Sequence, residues 1–160
     1  MSPDMPDTKS VEIFSAPRVP PAASWLGGFG LVPFFLCALL TLVADQPLRG
    51  HAALALLAYG AIILSFLGGI HWGLAISSSS PPSSETTRWL VVSVVPSLIA
   101  WISLLAPAKA GFLILAAAFA LMLWVDLAAT RLHRTPAWYP KLRLPLSCGA
   151  IAAILIGVFA

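Results

Sequence analysis

The sequence predicts an all-α fold, an integral membrane bundle of five transmembrane helices, and three observations predict it. Only 9% of the 160 residues are charged while 59% are hydrophobic, where a soluble domain carries about 25% charged residues. The mean hydropathy is +0.94. Five apolar runs, each able to cross about 30 Å of hydrocarbon as a helix or nearly so, alternate with short segments that hold every charge except Asp126. Too few charges remain to solvate a globule of this size, so the length reads as one polytopic membrane domain.

Residues 1–24 come first, polar and punctuated by Pro3, Pro6, Pro17, Pro20 and Pro21. Asp4, Asp7 and Glu12 are mixed there with Lys9 and Arg18, which fits neither the basic start of a signal peptide nor an acid-free transit peptide. A flexible, uncleaved tail is predicted. The transmembrane domain follows over 25–160. Its first span, Trp25 to Ala44, opens on an aromatic residue suited to the interface. Pro33 lies inside it, which neighbouring helices can accommodate by satisfying the freed carbonyl. Asp45 to Gly50 turn the chain into the second span, His51 to Ile76. Ser77–Ser84, with Pro81 and Pro82, end that helix; Ser83 or Ser84 can cap the next, with Glu85 at its positive pole. The third span, Trp89 to Leu105, contains Pro96. Ala106–Lys109 lead to the fourth, Ala110 to Thr130. After the polar connector Arg131–Arg143, the fifth runs from Leu144 to Ala160.

The second span is the most informative. Ala61, Ser65, Gly69 and Gly73 recur every fourth position, and small residues at that spacing let a neighbouring backbone approach closely. They predict helix packing within the chain, with contact to another subunit as the second choice. His71 lies about 160° around the helix from Gly69 and Gly73 and meets different neighbours.

Five spans place the tail, the second-to-third loop and the fourth-to-fifth loop on one side. That side holds Lys9, Arg18, Arg88, Arg131, Arg134, Lys141 and Arg143, the other only Arg49 and Lys109. The positive side is cytoplasmic, so the N-terminus is expected inside and the C-terminus outside. His71 and Asp126 then both lie roughly 6–8 Å below the inner boundary. Asp126 sits near the negative pole of its helix and needs a donor. Arg131, Arg134, Arg143 and His71 are the candidates, and His71, Asp126, Arg131 and Arg143 form the expected polar cluster.

The run Tyr59-Gly60-Ala61-Ile62-Ile63-Leu64-Ser65-Phe66-Leu67-Gly68-Gly69-Ile70-His71-Trp72-Gly73 resembles the signature of an uncharacterised family of small integral membrane proteins. That family occurs in proteobacteria and includes a mitochondrial transmembrane protein of animals. A later aspartate followed by Pro136-Ala137-Trp138-Tyr139-Pro140-Lys141-Leu142-Arg143 is similar to its second motif. The resemblance covers roughly Trp25 to Leu146 and implies a membrane fold, with no activity to carry over.

The bland readings stand beside the functional ones. His71 is open to three: a haem or metal ligand, a proton-relay group, or a hydrogen-bonded packing residue. Metal and haem sites need converging donors, and His51 and His133 are the only other histidines, so no cofactor is expected. Cys37 and Cys148 fall within apolar runs and read as small core residues. Trp72, Trp138, Tyr139 and Lys141 read as interface anchors, or as part of a site for anionic lipid headgroups or a quinone-like or phosphate ligand. Nucleotide-binding loops, nucleophile elbows and Cys-x-x-Cys pairs are absent from the sequence. The expected function is therefore a non-enzymatic accessory, assembly or scaffold protein of a bacterial inner membrane, with the mitochondrial inner membrane as second choice. Lipid, other membrane proteins or a second copy are its expected partners, and nucleic acid is not. The alternative is a small transporter, or a proton-, lipid- or quinone-handling protein, using the His71–Asp126 level.

Overall fold

The computed structural model describes residues 18–77 and 84–160. Within them the backbone forms α1 (Pro21–Val43), α2 (Leu48–Ile76), α3 (Ser84–Leu105), α4 (Ala108–Arg131) and α5 (Tyr139–Gly157), and no strand. All five are long and apolar enough to cross a membrane.

Each helix starts before its apolar run does. α1 starts at Pro21 rather than Trp25, α3 at Ser84 rather than Trp89, and α5 at Tyr139 rather than Leu144. The cause is the free N–H groups of a first helical turn, which tolerate proline and polar residues. Proline accordingly occupies one of the first two positions of α1 and of α5. Residues 21–24, expected in the tail, are therefore helical; residues 1–17 of that tail lie outside the described residues. So do residues 78–83 of the serine-rich loop and the cap expected at Ser83.

α2 touches all four other helices; α1 also packs on α5, α3 on α4, and α4 on α5. Phe34, Leu64, Phe112, Leu115, Phe119 and Ile154 make the centre of the bundle. Large apolar side chains also face outward, among them Leu26, Phe29, Ile62, Trp101 and Trp124. An apolar exterior around an apolar core is what lipid as solvent requires. The Tyr59 hydroxyl donates to the Gly30 carbonyl at 2.9 Å, joining α1 to α2.

The packing stripe expected at Ala61, Ser65, Gly69 and Gly73 is corrected by the structure. Ala61 is buried and Ser65 half-buried, but Gly69 and Gly73 are exposed, and a Cβ added to either meets nothing within 4 Å. A strict four-residue repeat precesses about 40° per step on a 3.6-residue helix, so by Gly73 the row has left the interface. The close approach is made by Gly68 instead, where a Cβ would collide with the Ser93 carbonyl oxygen of α3. Gly111 approaches the Ser103 carbonyl in the same way, bringing α4 against α3.

Candidate functional site

Asp126 is flanked in α4 by Val125 and Leu127 and is 1% exposed, so its carboxylate must find donors on other helices. It finds two. Arg143 of α5 donates from Nε to Oδ2 at 2.6 Å, and Nε2 of His71 in α2 lies 2.8 Å from Oδ1. An ionised carboxylate only accepts, so the His71 proton sits on Nε2. One carboxylate thereby joins α2, α4 and α5.

All of this occurs at the end of the bundle where α2 and α4 finish and α3 and α5 begin. His71, Asp126, Trp89 and Arg143 each stand about one to one and a half turns from their helix ends, hence at one level. The His71 ring stacks on Trp89 of α3, with centroids 5.6 Å apart and planes 9° from parallel. The Arg134 guanidinium lies over the same indole, 4.7 Å from its centroid, and pairs with Glu85 in the first turn of α3. A cation over an indole face is attracted by the ring quadrupole.

Local backbone chemistry brings Arg134 there. After α4 the Arg134 N–H donates to the Ala129 carbonyl and the His133 N–H to the Thr130 carbonyl, both at 3.0 Å. This is a Schellman turn with His133 at φ 56° in the left-handed position usually taken by glycine. The Thr130 and Thr135 hydroxyls, 2.6 Å apart, tie the helix end to the following loop.

Electrostatics explain the pairing. Asp126 near the C-terminus of α4 and Arg143 near the N-terminus of α5 each face the wrong pole of their own helix. A charge of either kind costs about 2.5–3.5 kcal/mol alone at a membrane helix centre, and less about one turn from the end, where both stand. Their contact offsets both penalties. His71 Nδ1 is buried without a hydrogen-bond partner among the described residues. The pair at the centre of the cluster, Asp126 with Arg143, sets one anion against one cation.

Of the residues expected in the cluster, His71, Asp126 and Arg143 come together, while Arg131 is exposed and stands outside it. Trp72 and Lys141 are exposed and Trp138 is half-buried. Tyr139 is corrected from interface anchor to bundle residue: it is 9% exposed because α5 already begins there and turns it inward. Its hydroxyl lies near the Asp126 carboxylate without completing a hydrogen bond. Sequence reasoning does not single out Trp89 or Glu85, and Arg134, a candidate donor to Asp126, pairs with Glu85 instead. Counting inward from the start of α3 would have placed Trp89 at the level of His71. Among the described residues no three His, Cys, Asp or Glu side chains group as metal ligands.

A protein family described as "Protein of unknown function (DUF3429)" matches residues 19–159. Transmembrane protein 69 of Xenopus tropicalis is 36% identical over 152 residues, covering 93% of this chain and 58% of that protein. Transmembrane protein 69 of Mus musculus is 28% identical over 137 residues, covering 86% of this chain and 55% of that protein. The chain thus spans somewhat more than half the length of these relatives. No solved structure matches.

Proposed function

This chain belongs to the DUF3429 family of membrane proteins, and from that premise we propose that it is a non-enzymatic accessory, assembly or scaffold component of a membrane complex. In this reading the polar cluster is a lock that fixes three helices. The observation that carries it is the double engagement of Asp126: both carboxylate oxygens are held by donors from other helices. A carboxylate so held is poorly placed as a general acid or base, which must be free to exchange its proton with a reacting group.

Orientation belongs to the same proposal. Among the described residues, the end of the bundle bearing the cluster carries six of the eight basic residues, which supports a cytoplasmic placement of that end in a bacterial inner membrane. A reporter active only outside the cytoplasm is expected to be active when fused after Ala160 and silent when fused after Thr135. The reverse pattern contradicts the orientation.

Purification from native membranes in mild detergent tests the role. A membrane protein retained at fixed stoichiometry through successive columns supports the accessory reading; a chain that leaves native membranes alone in every mild detergent contradicts it. One observation favours the other reading, handling of a lipophilic ligand: Arg143 and Tyr139 also line a groove.

A further inference from the structure

That groove lies between α1, α2 and α5 and has a volume of about 300 Å³, at the small end of the range for ligand pockets. Leu31, Phe34, Leu67, Ile70 and Leu146 are among its apolar walls, and the exposed Leu26 and Phe66 stand at its lipid edge. Its polar end differs from the walls. Arg143 and Tyr139 both line it, are 6% and 9% exposed, and each keeps one polar atom without a partner among the described residues. The atoms are Nη2 of the arginine and the phenol oxygen, both themselves fully buried, so a head group reaches them by displacing the side chains that cover them. Arginine can only donate and the tyrosine hydroxyl donates readily. Buried donors in hydrocarbon surroundings are costly unless something accepts from them.

We propose that this groove binds a membrane-soluble molecule with an apolar chain and a neutral carbonyl head, the carbonyl oxygen accepting from Arg143 Nη2 and the Tyr139 hydroxyl. The head is neutral because the arginine charge is already matched by Asp126 at 2.6 Å. An anionic head would set two anions against one cation at low dielectric, where like charges repel strongly. The chain is apolar because the walls are, and because the way in between Leu26 and Phe66 faces lipid. A quinone and the acyl ester of a glycerolipid both present this chemistry. The inference deepens the ligand-handling reading and is independent of the accessory one, since loss of a partner protein leaves the groove unchanged.

The test uses the full chain in nanodiscs of ether-linked phosphatidylcholine, which carries no carbonyl. Decylubiquinone and ester-linked phosphatidylcholine are titrated separately, and the thermal midpoint is followed, since a ligand that binds the folded state raises it. A saturable rise with one or both is expected; the quinone alone, the ester alone, or both identify the source. Gly30 lines the groove, and a Cβ there meets nothing within 4 Å. Gly30→Leu should therefore fill the groove and weaken binding at least about tenfold. Tyr139→Phe should weaken it about fivefold, the worth of one hydrogen bond, while leaving the ligand-free midpoint no lower, because the hydroxyl it removes is unpaired in the empty groove. If Gly30→Leu does not fold, Tyr139→Phe carries the test alone. No rise with either probe, affinities untouched by these substitutions, or tighter binding of palmitate anion than of both neutral probes would overturn the proposal.

Discussion

Asp126→Asn is expected to destabilise the bundle by about 3 kcal/mol, the low end of what breaking a buried ion pair costs. The substitution keeps the size of the side chain and removes the charge that matches Arg143, leaving a guanidinium 6% exposed inside the bundle. Arg143 lies close enough to the start of α5 to stretch partly toward the interface, which holds the loss near the low end. Arg143→Met should cost a similar amount by stranding the carboxylate. His71→Phe should cost less, about 1 kcal/mol, because it removes one hydrogen bond between membrane helices and keeps the ring on Trp89. Unfolding in mixed micelles by titration with a denaturing detergent would measure the three values, and the order Asp126 ≈ Arg143 > His71 is the expected result.

Gly68→Ala is expected to cost about 2–3 kcal/mol, although it adds a single methyl group. The methyl would occupy the position of the Ser93 carbonyl oxygen, and a backbone atom cannot rotate away as a side-chain tip can, so α2 and α3 must separate. Gly69→Ala and Gly73→Ala meet open space and should be neutral, or stabilising by up to about 1 kcal/mol from the better helix propensity of alanine. The same unfolding titration on the three variants checks this contrast. Equal losses at Gly68 and Gly69 would mean that the helix is rotated from the orientation described.

The contrast shows where the sequence is a good guide. Helix number and type follow from apolar runs interrupted by charge, a signal strong enough to need no tertiary information. Counting residues from the helix ends likewise sets His71 and Asp126 at one level, and in the structure they are 2.8 Å apart. Rotation about the helix axis is less legible. Gly68 and Gly69 are adjacent glycines with no local feature to distinguish them, and only the neighbouring Ser93 backbone does so.

The start of α5 was hidden for a different reason. Pro140, Lys141 and Arg143 make Tyr139 to Arg143 read as connector, because hydropathy counts an arginine as solvent-facing whether or not a carboxylate waits for it inside. From its sequence Arg143 reads as a loop residue, yet it stands in a helix, buried. Trp89 carries no sign in the sequence that its partner is a histidine ring. Its role depends on α3 packing beside α2 and on the Schellman turn that returns Arg134 to the same indole.

The lock itself is tested most directly by a double-mutant cycle on the ion pair, with Asp126→Leu, Arg143→Met and the two combined, each measured by the same unfolding titration. Either single change strands one buried charge, whereas the pair of changes removes both and leaves apolar side chains of similar size. The double variant is predicted to be more stable than the sum of the single losses by about 2 kcal/mol. Strictly additive losses would contradict the lock, because the carboxylate and the guanidinium would then be held by other groups and not by each other.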